Sequence, residues 1–136
     1  MTALDTNIWI YSHDTRDPAK QRAAQELIRT AKPLALPWQV GCEFIAASRK
    51  LEPHGFKSAD AWAALEQMRN MADVVLLPDV GLWSAARDLQ DSRQLPFWDA
   101  LLVAACLRGG VKTLYSEDLQ DGARFDGMVI ANPFAP

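Results

Sequence analysis

The hydrophobic positions of the chain form two kinds of segment that alternate along it. Short runs of three or four apolar residues are typical of strands that are buried on both faces of a sheet. These runs are Thr2–Leu4, Pro33–Leu36, Val74–Leu77, Thr113–Tyr115 and Met128–Ile130. Between them, apolar residues recur every three or four positions, which predicts helices that bury one face.

The helical spacing predicts five helices. They are the segments from Pro18 to about Thr30, Trp38 to about Leu51, Ser58 to about Met71, Asp79 to about Arg93, and Phe97–Arg108. Asp17 before Pro18 is typical of an N-cap followed by a first-turn proline, and Gly109-Gly110 stops the last helix. That last helix is apolar on every face, so we expect it to be buried.

Strands that alternate with helices predict an α/β fold with a mainly parallel sheet. The chain has 136 residues without internal repeats or linkers, so we expect one domain over residues 1–136. In open sheets of this kind, ligands bind outside the carboxyl ends of the strands. We therefore expect the functional residues to lie directly after the strands.

Acidic residues follow several of the predicted strands. Asp5 comes directly after the first strand, Glu43 lies in the second turn of the helix after the second strand, and Asp118 lies just past the fourth. The topology therefore predicts that three acids from distant parts of the sequence meet at one edge of the sheet. Taken singly, Asp5 is also suited to capping a short helix, Glu43 to a solvated helix face and Asp118 to a turn.

Asp99 is the one acid within the apolar helix Phe97–Arg108. Burying an unpaired carboxylate costs several kcal/mol or forces the group to take up a proton. Its position near the start of a helix is an alternative explanation, because the helix dipole favours an anion there. Its grouping with three other acids at one sheet edge favours a functional role.

Composition and charge limit the classes of function that the chain can have. The net charge of −3 and the pI near 5.3 argue against a protein held on nucleic acid by bulk positive charge. His13 and His54 lie in polar stretches and are predicted to be surface residues, whereas Cys42 and Cys106 are predicted to be buried, reduced thiols. No apolar run approaches the roughly 20 residues of a membrane span, and the N-terminal residues lack a basic signal, so we expect a cytoplasmic protein.

Four carboxylates brought together repel one another, and divalent cations relieve that repulsion. Mg²⁺ prefers hard oxygen ligands and keeps several waters, which leaves room for a phosphate group. A bound ion of this kind activates water and orients a phosphodiester. The acidic residues therefore indicate metal-dependent hydrolysis more than acid–base catalysis by histidine.

Four segments of the sequence together resemble the PIN-domain family, and within it the VapC-type toxins of bacterial toxin–antitoxin pairs. The segments are LDTNIWIY, QVGCEF, FWDALLVAA and LYSEDLQDG, and they occur in the family's order over nearly the whole chain. The resemblance implies an α/β/α sandwich, endoribonuclease activity that depends on Mg²⁺ or Mn²⁺, frequent homodimers and a cognate antitoxin protein.

The resemblance also implies roles for individual residues. Asp5, Glu43, Asp99 and Asp118 correspond to the catalytic, metal-binding acids of the family. Thr6 and Asn7 support the first acid, and Ser116 occupies a position where the family often has Thr or Ser. The fourth acid varies among family members, so Asp121 is expected to replace or assist Asp118.

Two alternative functions and the role of three aromatic residues remain open at this point. A phosphotransfer or phosphatase fold also gathers acids at strand ends, although position 7 is Asn where a dehalogenase-type pattern has Asp. A catalytically silent PIN-like module would use the same acids only to bind a protein. Trp9, Tyr11 and Trp38 are able to stack on RNA bases, but helical spacing favours core packing for all three.

Overall fold

The computed structural model describes residues 1–135, which form a six-stranded sheet flanked by helices. The strands are β1 (Thr2–Leu4), β2 (Leu34–Pro37), β3 (Val74–Leu76), β4 (Thr113–Tyr115), β5 (Arg124–Phe125) and β6 (Met128–Ala131). The α-helices are α1 (Thr6–Tyr11), α2 (Pro18–Thr30), α3 (Trp38–Ala47), α4 (Ser58–Met71), α5 (Gly81–Arg93) and α6 (Phe97–Arg108). A 3-10 helix, Ser48–His54, continues from α3.

The strand order β3-β2-β1-β4-β6-β5 places β1 at the centre of the sheet. Every neighbouring pair is parallel except β5 and β6. From β1 the chain builds outward to β2 and β3 on one side, and then returns to add β4 and β6 on the other. This reversal creates a switch point between β1 and β4, where the carboxyl ends of the strands leave a crevice for a ligand.

The core lies against the central strands. Leu4, Leu34 and Leu114 on the three middle strands have no exposed surface. Helix α1 adds Ile8 and Trp9 to the same core, and both of them are buried. This packing holds the start of α1, which follows β1 directly, in a fixed position over the crevice.

The structure confirms the α/β class and the mainly parallel sheet, and corrects several local predictions. Helix α3 ends at Ala47 and gives way to the 3-10 helix, so its predicted end at Leu51 was wrong. Cys42 is exposed, contrary to the prediction, because it borders an open cavity between α3 and α6 instead of the core, whereas Cys106 is buried as expected. His13 is half-buried because its ring stacks on Phe56 with centroids 4.6 Å apart.

Two elements, α1 and β5, were not assigned from the sequence. Helix α1 has six residues and β5 has two, so neither is long enough to display a clear period. Within residues 1–135, no helix combines the length and apolar character required to cross a membrane.

The central strand β4 should contribute more stability than the edge strand β3. Replacing Leu114 with Ala leaves a cavity in a fully buried position, so we expect a loss of about 2–5 kcal/mol in the free energy of unfolding. Val74 on β3 is 38% exposed, and Val74→Ala should cost less than about 1 kcal/mol. Urea unfolding of both variants measures the difference, and equal losses would contradict this account of the core.

Candidate active site at the carboxyl ends of the central strands

A polar cavity of about 160 Å³ opens at the switch point. Its walls combine four acids, three neutral polar side chains and three apolar ones. They are Asp5, Glu43, Asp99, Asp118, Thr6, Asn7, Gln39, Ala47, Trp98 and Leu102. Among these residues of the described chain none is cationic, so the cavity concentrates negative charge.

Asp5 has two structural partners in addition to its place in the cavity. Its Oδ1 accepts a hydrogen bond of 2.7 Å from the backbone N–H of Thr6, which makes Asp5 the N-cap of α1. Its Oδ2 accepts a hydrogen bond of 2.8 Å from the Ser116 hydroxyl. Asp5 is only 8% exposed, so these two bonds fix the direction in which its carboxylate points.

Helix α3 presents Glu43 to the cavity from the opposite wall. The Thr6 hydroxyl donates to Glu43 Oε1 at 3.1 Å, and Gln39 Nε2 reaches the same oxygen at 3.4 Å. Gln39 lies one helical turn before Glu43 and also donates to the backbone carbonyl of Trp98 at 3.0 Å. These bonds connect α1, α3 and the first turn of α6 around the acids.

The loop after β4 is fastened to α1 through Ser116 and Asp118. The Ser116 hydroxyl that donates to Asp5 also accepts from the backbone N–H of Asp118 at 3.2 Å. Asn7 Nδ2 then donates to Asp118 Oδ2 at 3.0 Å. The positions of Asp5 and Asp118 are therefore set by a shared network, although 111 residues separate Asp5 from Ser116 in the sequence.

Glu117 anchors the same loop on its outer side. Its carboxylate accepts from the Tyr11 hydroxyl and from Lys20 Nζ, the latter at 3.2 Å. Lys20 Nζ also lies 4.6 Å from the centre of the Tyr11 ring and 5.2 Å from that of Phe134. Three consecutive residues of this loop, 116–118, are thus held by α1 or α2.

Burial and neighbouring charges raise the pKa values of three acids in the cavity. Burial is the main cause of the raised pKa of Asp5, and the charges of Asp118 and Asp99 add to it, although hydrogen bonds from Ser116 and Thr6 act in the opposite direction. Burial also raises the pKa of Glu43 and of Asp99, with further contributions from Asp5 and Asp118 respectively. The cavity therefore favours either protonation or a cation.

The structure brings together seven of the eight residues predicted from the sequence. Asp121 is the eighth, and it does not line the cavity: its Oδ1 accepts from the backbone N–H of Asn132 at 2.8 Å, in an exposed turn. Sequence reasoning missed Gln39 and Trp98. Gln39 lies one helical turn before Glu43, so the helical repeat could have placed it at the same wall of the site. Trp98 directly precedes Asp99, and that adjacency was the available signal for it.

A hydrated divalent cation fits the donor set. Within residues 1–135, no three His, Cys, Asp or Glu side chains converge closely enough to enclose an ion with protein ligands alone. Mg²⁺ is commonly held by only one or two carboxylates and completes its octahedron with waters and substrate phosphates. An open, acid-lined cavity in which the pKa values of Asp5, Glu43 and Asp99 are raised matches that mode of binding.

The family model for the PIN domain matches residues 2–125 of the chain. The chain belongs to the PIN domain family. The matched residues include all four acids of the cavity, so these acids belong to the PIN domain itself. No curated protein matches the chain.

Solved structures with the same fold include toxin–antitoxin proteins. A toxin–antitoxin complex from Klebsiella pneumoniae matches with a TM-score of 0.66 at 17% identity, over 98% of each chain. VapBC2 from Rickettsia felis, bound to a promoter DNA fragment, matches with a TM-score of 0.65 at 14% identity, over 96% of this PIN domain and 97% of that chain.

A third structure of this fold is VapC20 from Mycobacterium tuberculosis, described as a sarcin-ricin loop cleaving toxin. It matches with a TM-score of 0.64 at 18% identity, over 84% of this PIN domain and 87% of that chain. At identities this low, the structural similarity shows that these proteins share a fold.

Replacing Asp99 with Asn should stabilise the metal-free protein at neutral pH. The change removes a charge that raises the pKa values of Asp5 and Glu43, so we expect a gain on the order of 0.5–2 kcal/mol in the free energy of unfolding at pH 7. The raised folded-state pKa values mean that the wild type loses stability as pH rises above the unfolded-state values near 4. The advantage of Asp99→Asn should therefore shrink toward pH 4.5.

Urea unfolding in EDTA across pH 4.5–7 measures this difference. Burial lowers the pKa of His13, so His13 adds stability as the pH rises, whereas the acids remove it. Both proteins carry His13, so its contribution cancels in the difference between them. A variant that is less stable than the wild type at pH 7 in EDTA would show that Asp99 serves the helix start instead of joining a repulsive cluster.

Proposed function

We propose that this PIN domain is a metal-dependent endoribonuclease, and that it is the toxin of a toxin–antitoxin pair. The observation that supports this proposal is the gathering of Asp5, Glu43, Asp99 and Asp118 in one cavity at the switch point of a PIN fold. PIN domains are nucleases, and an acid-lined cavity without a cationic side chain suits chemistry on a phosphodiester through Mg²⁺ or Mn²⁺.

One or two of the four acids would hold the divalent ion directly, and the others would face it through its bound waters. When bound, the ion would supply an activated water and neutralise charge on the phosphodiester. The protein's own contribution is orientation: Thr6 N–H and Ser116 direct the carboxylate of Asp5, and Asn7 directs that of Asp118. We assign Asp118 as the fourth acid because it lies in the cavity and Asp121 does not.

Purified protein should cleave single-stranded RNA with Mg²⁺ or Mn²⁺ and lose that activity in EDTA. Hydrolysis by water should leave a 5′-phosphate and a 3′-hydroxyl, which end-specific ligation and mass analysis of the fragments identify. Each of Asp5→Asn, Glu43→Gln, Asp99→Asn and Asp118→Asn should lower kcat/KM by about 10²-fold or more, because a carboxylate that holds the hydrated ion directly or through water is lost.

Asp88→Asn is the matched control, since Asp88 is exposed on α5 and does not line the cavity. Comparing Asp118→Asn with Asp121→Asn decides the fourth acid, and the larger loss should belong to Asp118→Asn. Products ending in a 2′,3′-cyclic phosphate, or undiminished cleavage in EDTA, would overturn the mechanism. A folded wild type that cuts no RNA under any of these metals would favour the silent binding module.

We propose three further properties in line with the toxin assignment. Two of the similar folds come from toxin–antitoxin complexes, which supports an antitoxin protein as partner. Leu77, Val80 and Trp83 are 66–74% exposed beside the start of α5, and such a group of apolar side chains supports a homodimer. The cytoplasm is the compartment where RNA and an antitoxin would both be available.

An antitoxin should inhibit by placing a cation in the acidic cavity. An Arg or Lys side chain inserted there would pair with the acids and compete with the divalent ion. Expression of the chain alone should slow bacterial growth, and expression of Asp99→Asn should not. Candidate inhibitors purified with the protein should bind more weakly as Mg²⁺ is raised; binding that is insensitive to Mg²⁺ would contradict competition in the cavity.

A further inference from the structure

A second cavity adjoins the acidic one, and the proposed activity gives it no role. It has a volume of about 360 Å³ and lies between α3 and the helices α5 and α6. Its walls are mostly apolar and include Trp38, Leu76, Leu82, Trp98 and Leu101. Gln39, Glu43 and Trp98 line both cavities, so we call the second one the aromatic cleft and treat the two as a continuous depression.

Two tryptophans leave much of their indole surface exposed at the aromatic cleft. Trp98 is 62% exposed and Trp38 is 53% exposed, although both side chains border a cavity. Trp98 directly precedes Asp99 on the first turn of α6 and lies between the acids and the cleft. Flat aromatic faces beside a phosphodiester-cleaving site are the surfaces on which unpaired bases stack in RNA-binding proteins.

The Gln39 side chain adds a hydrogen-bond acceptor that has no donor. Its Nε2 donates to Glu43 Oε1 and to the carbonyl of Trp98, and because both partners are acceptors, the amide orientation is fixed. Gln39 Oε1 is buried and has no protein partner among the described residues. Because this acceptor is buried, an N–H or O–H donor from a ligand or a water reaches it only when the Gln39 side chain turns toward a cavity.

We propose that the aromatic cleft binds an unpaired nucleobase of the RNA substrate, stacked on Trp98 and bordered by Trp38, while an adjoining phosphate lies in the acidic cavity. This inference rests on the proposed ribonuclease function. The charge of the cleft favours a base over a phosphate, because none of its lining residues within residues 1–135 is cationic. The base must leave its helical stack to enter, so single-stranded or looped RNA is the substrate class.

The proposal assigns specificity to the aromatic cleft. On entry of the base the Gln39 side chain would turn, so that its Oε1 accepts from an N–H group on the edge of the base. The indole face of Trp98 would accept any base by stacking. Bases differ in which edge carries a donor, so this geometry gives a base preference next to the cleaved bond. Trp98 is a substrate-positioning residue in this arrangement and takes no part in bond cleavage.

Trp98→Ala, Trp98→Phe and Trp62→Ala provide a matched series. Trp62 is 58% exposed on α4 and lines neither cavity, so Trp62→Ala controls for the loss of an exposed tryptophan. Stacking contributes about 1–3 kcal/mol per base, so Trp98→Ala should raise KM for single-stranded RNA roughly 10-fold or more, with a smaller effect on kcat. Trp98→Phe should recover most of the affinity, and Trp62→Ala should match the wild type.

Two measurements separate this inference from the proposed function. Sequencing of cleavage ends from a random single-stranded RNA pool should show a base preference beside the cut that is lost in Trp98→Ala. Equilibrium binding of a 2-aminopurine-labelled RNA 12-mer should quench the label in the wild type and much less in Trp98→Ala. Binding and quenching without cleavage would refute the nuclease but retain the base site.

The remaining outcomes overturn the inference. Unchanged KM, base preference and quenching in Trp98→Ala would exclude a base in the aromatic cleft. If Trp98→Ala leaves all three unchanged but lowers the molecular mass in light scattering, the cleft is a contact between two copies of the chain. If it weakens only the binding of a purified inhibitor protein, the cleft belongs to that partner.

Discussion

Mutual repulsion among four carboxylates is the constraint on which the rest of the site depends. Asp5, Glu43, Asp99 and Asp118 line a cavity without a cationic side chain, and burial removes part of the water that would screen them. Left to relax, such groups would separate or take up protons. The surrounding structure must therefore hold them in place, and it does so with backbone position and hydrogen bonds to neutral donors.

Helix α1 provides most of that restraint, although it has only six residues. Its N-cap is Asp5, its first residue donates to Glu43 and its second to Asp118, while Tyr11 at its end reaches Glu117 beside Asp118. A helix this short has little stability of its own. Its buried residues Ile8, Trp9 and Ile10 pack into the core, so tertiary packing stabilises the helix that organises the acids.

The sequence was sufficient to predict the α/β class and the placement of the acids because both follow from periodicity and topology. Asp5 and Asp118 follow buried strands, and parallel strands present their carboxyl ends at one edge. The sequence did not predict contacts between distant residues. The hydrogen bond from Ser116 to Asp5 forms because β1 and β4 are neighbours, and no local sequence pattern indicates that pairing. The same holds for exposure: Trp38 and Cys42 are exposed because they border the open cleft between α3 and α6, and the width of that cleft depends on how distant helices pack.

The raised pKa values also couple metal affinity to pH and to the aromatic cleft. In the proposed enzyme, protons would compete with a cation for Asp5, Glu43 and Asp99, so acidification from neutral pH would weaken the binding of a divalent ion and ion binding would release protons. Burial is the first cause of each shift, and Glu43 and Trp98 form part of both cavities. A base seated in the aromatic cleft would remove further water from Glu43, which strengthens its attraction to a cation in the acidic cavity. In the proposed enzyme, the apolar cleft beside the acids would therefore allow the RNA substrate and the metal ion to favour each other's binding.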